Sequence, residues 1–339
     1  MLRRLLLLAP AICVMGYQTF PAAESYENHE SEENRAQVRQ NIPGLKTWES
    51  RMTELGRKWC DDRTYGFGWE QDVWFYDGAR VYFQIADYTH DPSWNKCALH
   101  IAAQYKTNIL SNGGKLPGWR VFPQGMRMAW ERTGDSGYKQ AVVLLAENSA
   151  FAQVGGRAAD ALIRETAYVV EAYIEAEEVG EPRNAKLAQA AGYLIEDFRR
   201  IFVTGGYQLH QPFFDGLAAE ALIDYYQLTK DPRVPPAIKW MLDGDWERAY
   251  DRKTHQTAYN PDPPGPTCSV GCQKYNAGLE NLIAPAYAWY WHYSKDDVYR
   301  ERGDEMFEHA LDHDTSYSGK IFSQNYRWSF DYVKWRSAG

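Results

Sequence analysis

The chain has 339 residues with 45% hydrophobic and 24% charged side chains, enough to bury a sizeable core as a soluble globular protein. Its net charge is −8, and no Lys/Arg block lies beyond the first residues, which excludes nucleic acid and anionic membrane surfaces as natural partners. The distinctive figure is the 15% aromatic share, with 13 Trp and 24 Tyr, a surplus of flat amphipathic surface.

The first segment, "MLRRLLLLAPAICVMGYQTFPAAES", has two arginines, an apolar run from Leu5 to Gly16 and small residues at Ala22 and Ala23. It reads as an export signal over 1–23, with a periplasmic or extracellular destination and residues 24–339 as one domain. The run is shorter than the roughly 20 residues that span a bilayer, so no stable membrane anchoring is expected. Cys60, Cys97, Cys268 and Cys272 follow, and in an oxidising compartment disulfides are their default state. The favoured pairs are Cys60 with Cys97 and Cys268 with Cys272, the second stapling a Pro/Gly-rich loop on itself. Zinc at the Cys-x-x-x-Cys is disfavoured because no His or second Cys pair sits near it.

Apolar residues recurring at three and four predict helices near 33–56, 72–88, 93–110, 122–132, 137–150, 157–177, 183–203, 214–228, 233–249, 276–293 and 297–312. A short turn recurs between pairs of them: "DYTHDPSW", "ERTGDSGY", "QLTKDPRV" and "HYSKDDVY", with a degenerate "AEEVGEPRN" between the second and third. Their aspartates, Asp91, Asp135, Asp231 and Asp296, can each cap the helix that follows. The Asp-Gly pairs at Asp77 and Asp215 lie 138 residues apart, or three steps of 46. A period in the forties marks a two-helix unit that must stack on neighbours to bury its apolar face. The tail "SGKIFSQNYRWSFDYVKW" alternates polar with apolar or aromatic residues, which predicts a short C-terminal β-hairpin or extended strap.

In the period, the turn placement and the aromatic richness, the chain resembles the (α/α)6 toroid superfamily of six-hairpin glycosidases and polysaccharide lyases. The resemblance implies an all-α (α/α)6 toroid that acts on a polysaccharide or oligosaccharide, and the net negative charge disfavours a strongly anionic polymer, so the expected substrate is a neutral or weakly charged glycan. Because alternate loops lie on one face of a helical ring, the five long connections should gather at one end. They bring there Trp69, Glu70, Asp72, Trp74, Asp77, Trp119, Arg157, Asp160, His210, Phe213, Asp215, Tyr275 and Asn276. Aromatic faces suit pyranose rings, and carboxylates, an amide and an Arg suit hydroxyls, although each aromatic equally suits a core.

Glycoside hydrolysis needs two carboxyl groups flanking the bond, and the candidates are Asp215, Asp77, Glu70 and Asp72. For Asp77 and Asp215 the plainer alternative is a helix N-cap. Glu70 and Asp72 sit beside Trp69 and Trp74, where desolvation is expected to raise a carboxyl pKa toward that of a general acid. The second reading is a lyase acting on a uronate polymer, with His210 or Tyr275 as base and Arg157 or Asn276 neutralising the carboxylate; a third is a glycan-binding protein without turnover. His309 and His313, one helical turn apart beside Asp314, lack the His-Glu-x-x-His zinc pattern and read as a solvated face. No nucleotide or phosphate loop is present, and neither a cofactor nor a metal is expected.

Overall fold

The structure, a computed structural model, describes residues 41–61, 70–157, 163–205, 211–259, 279–312 and 318–338. The predicted signal segment, Cys268 and Cys272, and His313 and Asp314 lie outside the described residues. Described are α1 (Leu45–Asp61), α2 (Gly78–Thr89), α3 (Asn95–Ser111), α4 (Gln124–Thr133), α5 (Ser136–Asn148) and α6 (Ile163–Glu178). They are followed by α7 (Leu187–Phe198), α8 (Pro212–Thr229), α9 (Val234–Arg248), α10 (Glu280–Ser294), α11 (Asp297–Asp312) and α12 (Gly319–Ser337). A two-stranded antiparallel sheet, β1 (Tyr250–Asp251) with β2 (Gln256–Thr257), stands in the longest connection.

The even-numbered helices form the inner wall. Each packs on the next, α2 on α4, α4 on α6, α6 on α8, α8 on α10 and α10 on α12, and α12 returns to α2 to close the ring. The odd-numbered helices lie outside, so the fold is an all-α toroid. Burial separates the two sets. Every residue of α10 from Glu280 to Tyr290 is buried, whereas α3 buries a single stripe of Cys97, Ala98, Ile101, Ala102, Tyr105 and Ile109.

The repeated turn has one mechanism. At His90, Gly134, Lys230 and Lys295 the chain enters the left-handed region, with φ of 54°, 69°, 57° and 59°, and so leaves the inner helix. The next residue is the Asp, whose carboxylate accepts from the backbone N–H two positions on: Ser93 at 2.9 Å, Gly137 at 2.8 Å, Arg233 at 3.0 Å and Val298 at 3.1 Å. Thr133, Thr229 and Ser294 in turn accept the N–H of that Asp. The turn thus satisfies the last carbonyls of one helix and the first amides of the next within four residues.

The C-terminal expectation is corrected: the tail is a helix of 19 residues, not a β-hairpin or strap. Its alternation misled because α12 is enclosed by α1, α2, α10 and α11, so that every residue from Phe322 to Phe330 is buried, polar or not. Two of the polar ones pair with neighbouring segments: Ser329 accepts from the Trp48 indole at 2.8 Å, and Ser323 donates to the Val73 carbonyl at 2.6 Å. The helix expected at 72–88 starts later, at Gly78, and that expected at 33–56 is described as Leu45–Asp61. Cys60 and Cys97 form the expected disulfide, which ties α1 to α3. No described helix is long and apolar enough to cross a membrane.

Candidate active site

Every tight turn joins the C-terminal end of an inner helix to an outer one, so the N-terminal ends of the inner helices share the opposite rim with the long connections. Cross-contacts verify this. The Lys320 ammonium at the start of α12 lies 5.0 Å from the Phe75 ring centre ahead of α2, and the Arg164 guanidinium at the start of α6 lies 4.8 Å from the Phe214 ring at the start of α8. Phe213 stacks on Tyr259 with centroids 5.1 Å apart. Trp119 is 42% exposed and its indole donates to Glu70 at 3.3 Å. Of these rings Phe75, Phe213 and Phe214 are buried, whereas Trp119 is exposed beside the Glu70 carboxylate.

The carboxylates expected there take different roles. Glu70 does not become a raised-pKa acid: the Arg120 guanidinium bonds it at 2.7 Å and holds it below the ordinary carboxylate value. Exposure explains the reversal, since a carboxylate at the rim pairs more readily than it desolvates. Asp72 accepts from the Val73 N–H at 2.6 Å. Asp77 is the N-cap of α2, accepting from Arg80 N–H at 3.3 Å and, from the adjacent inner helix α4, from Gly125 N–H at 2.9 Å. Burial raises its pKa against those bonds and against Arg327. Asp215 is not a cap; it lies in the first turn of α8, three residues after Pro212, and is buried.

The aromatic and polar expectations also divide. Trp74 is core and not a sugar platform: it is buried and stacked on Tyr105 at 5.9 Å. Arg157 is held by Asp197 of outer helix α7 at 3.0 Å. Trp69, Asp160, His210, Tyr275 and Asn276 lie outside the described residues.

What the sequence reading missed lies below the rim. Glu171 and Glu175 on α6, Glu220 and Asp224 on α8, Arg80 on α2, Gln124 on α4, and Arg327 and Asp331 on α12 converge inside the ring. Glu220 binds Arg80 at 2.6 Å, Arg327 at 3.1 Å and the Trp328 indole at 2.6 Å. Burial works against its charge, yet Arg327 and Arg80 hold its pKa below the ordinary value. Glu171 is pushed the other way, well above its ordinary value, by burial and by the neighbouring Asp224 and Glu220. One of its oxygens accepts from Gln124 at 2.6 Å. The other has no hydrogen-bond partner among the described residues, and neither do the Tyr168 hydroxyl or Nε and Nη1 of Arg327. Buried polar atoms are seldom left so, and they gather where a fold is built for a visitor. A cavity of about 20 Å³, room for one water, lies against Glu220, Asp224, Trp328 and Asp331.

The signal for this network was the presence of acids inside the apolar runs "TAYVVEAYIE" and "AAEALIDYY". Asp224 has a measurable consequence. Burial, with Glu220 and Asp331 adding to it, pushes its pKa up to about 7. The folded state thus holds this proton more tightly than the unfolded chain. Its contribution to stability is complete below about pH 4 and is lost as the pH rises toward 7. Asp224→Asn is expected to flatten that slope, so urea midpoints at pH 5 and pH 8 should differ less in the variant than in the parent; an unchanged difference refutes the assignment.

The Tyr76–Asp77 step adds strain to this geometry. Both residues sit in the left-handed region, with φ of 60° and 61°, and neither is glycine. Such conformations cost about 1–3 kcal/mol each and cluster at ligand sites. The Tyr76 ring is buried against Phe75, Phe122 and Trp328, and burial pushes its pKa up to about 12.

No family model matches the chain, and no curated protein matches it. Among solved structures, the chain is similar to a crystal structure of D-mannose isomerase, with a TM-score of 0.55 and 13% identity over 93% of this chain and 100% of that one. At that identity the likeness speaks for the shared helical ring.

Proposed function

We propose that the chain is a carbohydrate-processing enzyme of the glycoside hydrolase type, exported by its N-terminal segment, that takes a sugar at the aromatic rim and moves protons with carboxyl groups of the inner helices. The observation that supports it most is Glu171: a buried carboxyl whose pKa burial and the neighbouring Asp224 and Glu220 push well above the ordinary value, with one oxygen that has no hydrogen-bond partner among the described residues. In this reading Glu171 gives its proton to the glycosidic oxygen as the bond to the anomeric carbon breaks. Asp215, about a turn and a half closer to the rim than Glu220 on the same helix, takes a proton from the attacking water. Asp77 fixes α4 and the strained turn rather than reacting, because its oxygens accept backbone N–H groups.

A second reading is aldose–ketose isomerisation. It is favoured by the neighbour's name together with the match over its whole length. The same buried carboxyl would then serve a free sugar. Of the residues the lyase reading uses, Arg157 is bound to Asp197, while His210, Tyr275 and Asn276 lie outside the described residues.

The test is incubation of the protein with a panel of neutral and uronate oligosaccharides and of free aldoses, following reducing ends, ketose formation and ultraviolet absorbance together. New reducing ends without absorbance are the expected result. Ketose from a free aldose would transfer the assignment to the isomerase, and absorbance from a uronate would restore the lyase.

A further inference from the structure

The ring closes unevenly. At the rim the last inner helix is joined tightly to the segment ahead of the first: Lys320 N–H donates to the Gln71 carbonyl at 3.1 Å and the Ser323 hydroxyl to the Val73 carbonyl at 2.6 Å. Toward the tight turns a groove of about 450 Å³ opens between Gln84, Asp87 and Tyr88 of α2 and Phe330, Lys334 and Ser337 of α12.

Asp331 and Lys334 line both this groove and the one-water cavity against Glu220 and Asp224. Two side chains thus stand between the tight-turn face and the buried acids. Exposure falls along that line: Lys334 is exposed, the Asp331 side chain is 18% exposed, that of Glu220 9%, and Glu171 is buried. On the rim side α8 and α10 come into backbone contact, since a Cβ on Gly216 would stand 2.4 Å from the Leu282 carbonyl oxygen. Pro285 and Ala286 of α10, both short, form part of the cavity wall. Glu220, Asp224 and Asp331 give a water there the polar partners it needs.

We propose that the groove is a second entrance to the ring, which passes water and protons from the tight-turn face to Asp224 and Glu220 while a sugar occupies the rim. The inference rests on the reading of Glu171 as the acid and supplies what that reading needs between turnovers. Glu171 leaves its proton on the departing sugar oxygen and Asp215 takes one from the attacking water, so each cycle ends with one carboxyl short of a proton and one carrying an extra. Asp215 releases its proton at the rim. Asp224, which neighbours Glu171, hands its proton over and takes another from the water in the cavity, so that no net proton is gained or lost. In this cycle Asp224 acts through Glu171, and Glu220, Asp331, Arg80 and Glu175 are the charged groups around it.

Water entry is measured first, by NMR, as hydrogen–deuterium exchange of the tryptophan indole N–H groups in the full chain. The parent is compared with Ser337→Phe and Gln84→Phe, which fill the groove from its two walls. Trp328 lines the cavity and its indole donates to Glu220 at 2.6 Å, whereas Trp74 is buried near the rim and serves as the control. Both variants are expected to slow exchange at Trp328 about tenfold or more and to leave Trp74 unchanged, with urea midpoints showing that they are folded. On the sugar identified by the panel, kcat should then fall about fivefold or more with kcat/KM unchanged, because bond cleavage uses the proton already on Glu171 and only its return runs through the groove. Exchange at Trp328 that neither variant slows overturns the entrance. A kcat that does not change, or that falls together with kcat/KM, overturns its part in the reaction. Turnover of nothing in the panel overturns the sugar-enzyme reading and the use of the proton with it, while exchange at Trp328 still decides whether water enters from this face.

Discussion

Glu171→Gln is expected to lower turnover by roughly two to four orders of magnitude while leaving the folding midpoint almost where it was. The two halves belong together. Burial and the charges of Asp224 and Glu220 disfavour the ionised form of the parent carboxyl. Replacing it with a neutral amide of the same shape therefore goes with the electrostatics of the interior and not against them. The Gln124 amide, which donates to one Glu171 oxygen at 2.6 Å, finds a carbonyl oxygen in the same place. What is lost is a proton that can be given away. Rates on the substrate identified by the panel, with urea unfolding in parallel, measure both. Retained turnover would remove Glu171 from the chemistry, and a joint loss of turnover and stability would make it structural.

Gly78→Ala should destabilise the fold by at least about 3 kcal/mol, the scale of severe overpacking. A Cβ at this position would overlap the Val73 carbonyl oxygen, 2.9 Å from its carbon and 3.0 Å from the Ser323 hydroxyl oxygen. Neither side can give way. The Val73 carbonyl accepts from Ser323 at 2.6 Å, and Asp77, the preceding residue, is pinned by Gly125 N–H at 2.9 Å. The two left-handed residues before it leave no slack in the turn. Gly192→Ala on outer helix α7 is the contrast: nothing lies within 4 Å of the added methyl. There the better helix former should stabilise by about 0.5–1 kcal/mol. Urea midpoints of the two variants should move in opposite directions, and a small loss for Gly78→Ala would show the close approach to be adjustable.

The architecture was legible because its most informative signal is local. A Thr or Ser, a left-handed residue and a capping Asp need only three consecutive positions, so the turn at Thr229, Lys230 and Asp231 reads as clearly in the sequence as in space. Helix periodicity did the rest for the outer helices, which have a wet face and a dry one. The same logic failed for α12, buried on all sides, where neighbours and not solvent decide which residue is polar. It failed again for Glu171 and Glu220, which an amphipathic reading sends to the surface although they lie in the interior. The repeated Asp-Gly pair was legible as a repeat but not as two geometries: Asp77 caps its helix while Asp215 lies inside one. Glu70 shows a further limit. Its neighbours in sequence suggested desolvation, but its pKa is set by Arg120, 50 positions away.

The way the ring closes bears on how the protein is made. Its last inner helix meets its first through contacts such as Ser323 with Val73, 250 positions apart, and it packs on α1 through Trp48 and Ser329, 281 apart. Synthesis runs from the N-terminus, so α1 and α2 wait with apolar flanks uncovered until residues 319–337 have been made. During that interval the growing chain is an open arc with two sticky ends. Closure over such separations is slow, and arcs with exposed apolar ends can join one another as well as themselves. The final helix therefore acts as a latch that turns a sequence of hairpins into one cooperative body.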